Sequence, residues 1–257
     1  MLILLVFCAF YINAKLFKPL KLLIQNTDQL EKGEKPKTLT ISSHDEIGYV
    51  LKRFARMSDI VYERTSKLNF QASHDHLTGV LNRTELKPAL KQAITTCSED
   101  NKLAVIFIDI NKFKQLNDEY DHLIGDQVLI ETAKRITSSV RAGDDVYRYG
   151  GDEFVIITHN IAKYRHINAM ITHLLACFDN PFVFEQFTLN ISLSIGVALA
   201  PDHSLNHQEL LKLADQAMYH AKHELKNSYH IYNNHNQEED KNLGTANILK
   251  EIMEYHQ

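Results

Sequence analysis

The sequence predicts a domain of alternating strands and helices behind a smaller helical N-terminal module. Leu103 to Ile110 (LAVIFIDI) is a continuous apolar run broken only by Asp109, the pattern of a central strand covered on both faces. Val146 to Tyr149 and Phe154 to Ile157 are short strand-like runs around Gly150-Gly151, a hairpin signal. Leu129, Ala133, Ile136 and Val140 recur at the i, i+4, i+7, i+11 steps of a helix. The length of 257 residues admits one sizeable domain plus a module, but not two catalytic domains. An apolar fraction of 44% and a charged fraction of 23% exclude a disordered or fibrous chain. The net charge of −4 at pH 7 excludes a protein that holds nucleic acid by bulk electrostatics. Cys8, Cys97 and Cys177 have no CxxC spacing, so neither a disulfide framework nor a zinc site is expected, and a reducing compartment fits.

At the N-terminus, Met1 to Ile12 (MLILLVFCAFYI) is apolar throughout, and Lys15, Lys18 and Lys21 follow. As a helix this run covers about 18 Å, short of a hydrocarbon core about 30 Å thick. Its charges come after it and no small-residue cleavage site appears, which argues against a signal peptide. Lysines placed there put the following chain on the cytoplasmic side. Residues 1–14 therefore read as the cytoplasmic end of a transmembrane helix that begins outside this sequence; the alternative is a buried helix of a soluble domain. An amphipathic helix starts at Pro19 and ends near Gly33, a polar connector with Pro36 follows, and His44-Asp45-Glu46-Ile47-Gly48 opens a second helix. Val50, Phe54, Met57, Val61 and Leu68 then form an a/d-like seam that needs a second copy to cover it. Through Pro19, the Asp45-Glu46-Ile47-Gly48 run, Phe54 and Met57, residues 15–67 resemble the HAMP linker of bacterial membrane receptors; a generic helical hairpin is the alternative.

Residues 68–232 carry the remaining pattern. Arg83 to Thr96 and Ala162 to Cys177 read as helices, Phe182 to Val197 as a strand run, and Leu210, Leu213, Ala217 and Ala221 as the core stripe of a last helix. Residues 233–257 form a tail of unassigned role.

The chemistry gathers around Asp109 and the Gly150-Gly151-Asp152-Glu153-Phe154 turn. Glycine lets a backbone or ligand come close, and the turn displays Asp152 at a sheet edge. Alone, this reads equally as a tight turn with solvated acids, and Asp109 equally as a helix N-cap. Together, two carboxylates on neighbouring strand ends can hold Mg²⁺, which favours one or two carboxylates plus phosphate oxygens.

The segment resembles the GGDEF-domain family of diguanylate cyclases, which condense two GTP into cyclic di-GMP. The motif stands intact at Gly150 to Phe154. In order and spacing, Asp75-His76-Leu77-Thr78-Gly79 with Asn82-Arg83, Asp109 to Asp118, His122 to Asp126, and Ala214-Asp215-Gln216-Ala217-Met218-Tyr219 with Ala221-Lys222 agree as well. The resemblance implies an α+β fold with a ferredoxin-like, palm-type antiparallel sheet and flanking helices. It implies that Asp109, the carbonyl of Ile110 and Asp152 hold Mg²⁺ or Mn²⁺, and that Asp152 is the candidate acceptor for the proton of a 3′-hydroxyl, whose pKa the metal could equally lower without a side-chain base; Glu153 is the second acid of the motif. Lys114, Lys222 and Lys226 would meet phosphate; Phe113, Asn117, His122 and Asp126 would line the guanine side; Gly150 and Gly151 would lie along the nucleotide. Arg141 and Asp144 keep an RxxD pattern that in the family binds product and inhibits; a solvated turn pair is the alternative.

Departures are few. Leu225-Lys226 stand where Gly-Arg is common, so a bidentate phosphate fork is lost there. Asp121 replaces a usual glycine and Asn111 a usual acid. The implied protein is a homodimeric, GTP-using enzyme of the bacterial inner membrane with its catalytic domain in the cytoplasm, cyclic di-GMP at an inhibitory site, and no nucleic-acid partner. A non-catalytic receptor of GTP or cyclic di-GMP is the alternative from another class. A chemoreceptor-type scaffold would need long heptad helices after the linker, which the sequence lacks.

Overall fold

The computed structural model describes residues 1–37, 45–184, 187–223 and 227–233. The chain divides into two compact units, Met1–Ala72 and Ser73–Gln257.

In the first unit, α1 (Leu2–Ile12) passes through a π-helical turn at Asn13–Phe17 into α2 (Lys18–Glu31). The resulting stretch, Leu2–Glu31, is long and apolar enough to cross a membrane by length and composition. Pro19 follows the π-helical turn directly as the second residue of α2, inside the continuous helical stretch. The helix stops where Gly33 takes a φ of +73° and its N–H donates to the carbonyl of Leu30 at 3.0 Å. Asp45 starts α3 (Glu46–Ser73), its Oδ1 accepting from the Gly48 N–H at 3.0 Å; His44 lies outside the described residues. Along α3, Val50, Met57, Val61 and Leu68 are exposed and Phe54 is half-buried.

The second unit contains β1 (Leu81–Asn82), α4 (Arg83–Ile94), β2 (Lys102–Ile110), α5 (Phe113–Tyr120), α6 (His122–Ser139), β3 (Asp145–Gly150) and β4 (Glu153–Ile161). It continues through α7 (Tyr164–Ala176), β5 (Phe182–Phe184), β6 (Phe187–Leu189), β7 (Leu193–Ala200), α8 (His207–Ala221) and β8 (Ser228–Ile231). One sheet runs in the order β1-β3-β4-β2-β7-β8. Its four middle strands are antiparallel, as expected, but β1 joins β3 and β8 joins β7 in parallel. The sheet is therefore mixed: α8 carries the chain over from β7 to β8, and a helical crossover delivers the next strand parallel. The expected strand run from Phe182 to Val197 is also divided, β5 and β6 pairing as a separate hairpin before β7 begins at Leu193.

Strand β2 organises both layers. Its even residues Ala104, Ile106, Ile108 and Ile110 pack with Val128, Leu129 and Ile136 of α6 and Ile167 and Ile171 of α7. Its odd residues Leu103, Val105 and Phe107 pack with Leu86 and Leu90 of α4 and Leu210, Leu213 and Ala214 of α8. Each such large aliphatic side chain contributes about 1.5–3 kcal/mol on burial, and burial on both sides explains why the run does not alternate. The same two-residue period puts Asp109 on the α8 side. That helix comes close because β7 offers Gly196; a Cβ there would fall well inside contact distance of the Ala214 carbonyl and the Met218 N–H.

A polar clamp ties the start of the domain to the β3–β4 turn. Asp75 Oδ1 accepts from the Thr78 N–H at 2.9 Å and its hydroxyl at 2.6 Å, and pairs with Arg148 Nη1 at 2.9 Å. Arg148 also donates from Nε and Nη2 to the Gly151 carbonyl, at 3.0 and 2.8 Å. Burial raises the Asp75 pKa, but the Thr78 hydrogen bonds and the Arg148 guanidinium outweigh it and leave the carboxyl below its ordinary 3.8. A depressed carboxylate contributes stability that is present above the unfolded value and lost as pH falls through the folded one. Arg148→Met is expected to destabilise the fold by about 1.5–3 kcal/mol at neutral pH. Urea denaturation across pH should show that loss shrinking below pH 3.8, leaving only the part owed to the Gly151 carbonyl.

Candidate nucleotide and metal site

The strand register brings the acids together. Asp109, one residue from the end of β2, sits directly across from Glu153 on β4 and from Ser194 on β7. The Ile110 N–H donates to the Asp152 carbonyl at 3.4 Å, which holds the turn against the end of β2. Gly151 has a φ of +54°, so the turn itself requires glycine there. Gly150 is different: its φ is not left-handed and a Cβ would meet nothing within 4 Å. The fold does not demand glycine at 150, and the open space beside it suits a ligand.

Asp109 is only 5% exposed, and its Oδ2 accepts from the ammonium of Lys222 at 2.7 Å. Burial pushes the Asp109 carboxyl above the ordinary range; Lys222 pulls it back, and Asp152 and Asp215 add to the rise. Glu153 is pushed up by burial first, then by Asp109, Asp215 and Asp152, against the opposing pull of Lys222. Asp215, on α8 seven residues before Lys222, is also raised by burial. Its place in the acidic cluster was missed in the sequence, where the helical i, i+7 relation to Lys222 was the available signal.

These residues fit a divalent metal. Their donors are hard carboxylate and carbonyl oxygens, and the buried Asp109 already carries a cation in the form of the Lys222 ammonium. Among the described residues no three or more His, Cys, Asp and Glu side chains close a cage. An open oxygen site of this kind suits Mg²⁺, which retains waters and takes substrate phosphates as further ligands.

The guanine-side candidates lie on α5 and α6. Lys112, at φ +59°, turns the chain from β2 into α5, and Lys114 is exposed on the first turn of that helix. Phe113 and Asn117 lie one turn apart and both face Gly125 of α6. A Cβ on Gly125 would collide with Asn117 Oδ1 and come 3.4 Å from the Phe113 ring. Asn117 Oδ1 is buried against Gly125 with no hydrogen-bond partner among the described residues. His122 and Asp126 are exposed on the first turns of α6. The preceding Asp121 keeps the backbone a glycine would take, φ +74° and ψ 156°, and caps α6 by accepting from the His122 N–H at 2.6 Å.

Arg141 and Asp144 form a separate cluster. Arg141 Nε lies 3.4 Å from Asp144 Oδ2, Nη2 donates to the His159 carbonyl, and Asp144 Oδ1 accepts from the His159 N–H at 3.4 Å. Lys226 falls outside the described residues.

Gly125 gives the expected guanine side a direct test. Glycine to alanine inside a helix ordinarily stabilises by up to about 1 kcal/mol. Here the new methyl must displace the Asn117 amide. Gly125→Ala is expected to keep its melting temperature yet bind GTP more weakly by about 1–3 kcal/mol, the loss from one buried hydrogen bond; calorimetric titration with GTP checks it.

Comparison with known proteins agrees with this geometry. Residues 72–228 match the family described as "Diguanylate cyclase, GGDEF domain". The bifunctional diguanylate cyclase/cyclic di-GMP phosphodiesterase MucR of Pseudomonas aeruginosa is 37% identical over 188 residues, 72% of this chain and 27% of MucR. The diguanylate cyclase TpbB of Pseudomonas aeruginosa is 37% identical over 176 residues, 68% of this chain and 40% of TpbB. The chain thus spans well under half the length of these relatives. A crystal structure of the TpbB GGDEF domain superposes with a TM-score of 0.59 at 35% identity, covering 61% of this chain and 98% of that one. The GGDEF domain of DgcB from Caulobacter crescentus, in complex with c-di-GMP, gives a TM-score of 0.58 at 25% identity, covering 63% and 96%. With more than half of its residues inside the family match and its acids in register around the intact turn, the chain belongs to the GGDEF family.

Proposed function

We propose that this protein is a diguanylate cyclase that condenses two GTP into cyclic di-GMP and releases pyrophosphate. The observation that carries the reading is the intact Gly150–Phe154 turn with Asp109 and Glu153 paired across β2 and β4, inside the matched family domain. Two relatives named diguanylate cyclases, and a relative's GGDEF domain crystallised with c-di-GMP, support the substrate and product class.

Asp109, the Ile110 carbonyl and Asp152 would hold Mg²⁺ or Mn²⁺. Bound there, the ion supplies charge neutralisation for the triphosphate and for the pyrophosphate that leaves. The protein's own groups do the rest. Phe113, Asn117, His122 and Asp126 orient the guanine, the Asp126 carboxylate accepting from its ring and exocyclic N–H groups. Lys114, Lys222 and Lys226 neutralise phosphate oxygens, and the open space at Gly150 and Gly151 lets the nucleotide lie against the turn. Asp152 or Glu153 accepts the proton of the 3′-hydroxyl at a carboxylate oxygen. The 3′-oxygen forms a bond to the α-phosphorus of the second GTP as the bond to pyrophosphate breaks, and the reciprocal step closes the ring. One domain holds one nucleotide, so two copies must face each other.

The same proposal extends to the whole chain. Residues 1–14 anchor it in the bacterial inner membrane, residues 15–67 serve as a HAMP-like dimeriser, residues 68–232 catalyse in the cytoplasm, and the tail has no assigned role. Arg141 and Asp144 would take cyclic di-GMP as an inhibitory ligand.

Incubation with GTP and Mg²⁺, read by chromatography, tests the activity. Asp152→Asn is expected to lower cyclic di-GMP formation by at least about 100-fold, the scale of losing one acid–base group, with an unchanged circular dichroism spectrum. Undiminished synthesis would refute the assignment.

The dimer makes a kinetic prediction. Two domains held on one coil meet at effective concentrations of about 1 mM, so the parent rate should stay linear in protein on dilution. Phe54→Glu, which puts a charge in the a/d seam, should make the rate rise more steeply than linearly over the same range.

A further inference from the structure

Asp109 is paired before any ligand arrives. Its carboxylate is 7% exposed, and Lys222 Nζ sits 2.7 Å from Oδ2. Lys222 itself follows the last turn of α8; its N–H still donates to the Met218 carbonyl at 3.1 Å, while its side chain is 36% exposed. The base of the residue is thus fixed to the helix, and the ammonium ends a flexible four-carbon stem that opens toward solvent. Asp109 has an acid across the sheet at Glu153, another in the adjoining turn at Asp152, and a third on α8 at Asp215. Among these acids, the ammonium occupies the place of a cation.

We propose that Lys222 is an internal stand-in for the metal, and that a divalent ion binds Asp109 only by exchange with this ammonium, which the triphosphate of an incoming nucleotide then receives. The inference rests on the metal site proposed above and adds a coupling between two ligands. A doubly charged ion on the same carboxylate oxygen would stand within a few ångströms of the ammonium, where the repulsion is strong in a poorly solvated site. Released without a nucleotide, the ammonium gains only water; released with one, it gains phosphate oxygens. Metal alone should therefore bind weakly, nucleotide should strengthen it, and linkage requires metal to strengthen nucleotide by the same factor. The pairing also gives the nucleotide-free protein a charge-balanced Asp109 in place of an uncompensated buried carboxylate.

The test is Mn²⁺ binding followed by electron paramagnetic resonance on the full chain in detergent micelles, with and without a non-hydrolysable GTP analogue. The variants are Lys222→Met, Lys212→Met on the same helix, and Asp109→Asn. Without nucleotide, Lys222→Met should bind Mn²⁺ on the order of tenfold more tightly than the parent, and the strengthening by the analogue should shrink by the same factor. Lys212→Met should match the parent. If Lys222→Met leaves Mn²⁺ affinity unchanged while Asp109→Asn abolishes binding, the exchange is overturned and the metal site stands. An equal rise in Lys212→Met would reduce the effect to the general field of the helix and overturn the exchange. Mn²⁺ binding untouched by Asp109→Asn, with the analogue present, would overturn the metal site and the exchange together.

Discussion

A carboxylate at the end of an apolar strand is the constraint around which this domain is built. Strand β2 is covered on both faces from Leu103 to Ile108, and that double burial fixes its position in the middle of the sheet. The same packing carries Asp109 out of water, and a buried carboxylate without a cation costs several kcal/mol. Something positive must therefore reach it. Position 109 faces α8 by the two-residue period of the strand, so the cation comes from that helix. The packing of β2 and the charge state of the site are thus one problem, solved by where α8 ends.

Close backbone approach makes that solution possible. With any side chain at 196, α8 would be lifted off β7, and the end that carries Lys222 would move away from Asp109. Gly125 does the same between α5 and α6, where its missing Cβ leaves room for the Asn117 amide. In both places the glycine has no unusual φ; its function is to leave space for a neighbour. Gly151 is the contrasting case, needed for its backbone conformation, and Gly150 leaves open space where a Cβ would meet nothing within 4 Å. These four glycines thus serve three different physical purposes.

The sequence makes much of this legible, and unevenly. The apolar run of β2, the hairpin at Gly150-Gly151 and the stripe of α8 are strong patterns because packing on the sheet enforces their periods. The parallel edges were hidden because β1 is two residues long and β8 four, too short to carry a period, and their direction is set by crossovers. The split between β6 and β7 was hidden because Phe187 to Ile195 alternates apolar and polar residues without interruption, and only pairing separates the strands. In the site, Asp109, Asp152 and Glu153 were readable from their motifs. The closeness of Asp215 to Asp109 and Glu153, and the grip of Arg148 on Asp75, were not, since each depends on elements distant in sequence coming together.

The departures from the family pattern show how such a site tolerates change. Asn111 stands where an acid is usual, and its amide uses both of its functions: Nδ2 donates to Ser192 Oγ at 3.2 Å, and Oδ1 accepts from the Ser194 hydroxyl at 2.6 Å. An amide that is satisfied in both directions holds the end of β2 to the start of β7 without adding charge beside Asp109. Asp121 stands where glycine is usual and keeps the glycine conformation, a strain of about 1–3 kcal/mol, offset in part by the hydrogen bond it accepts at the start of α6. Neither change touches an oxygen proposed to hold metal. Both side chains are satisfied by local hydrogen bonds, whereas the buried Asp109 carboxylate, which no neutral group could compensate, is met by the Lys222 ammonium.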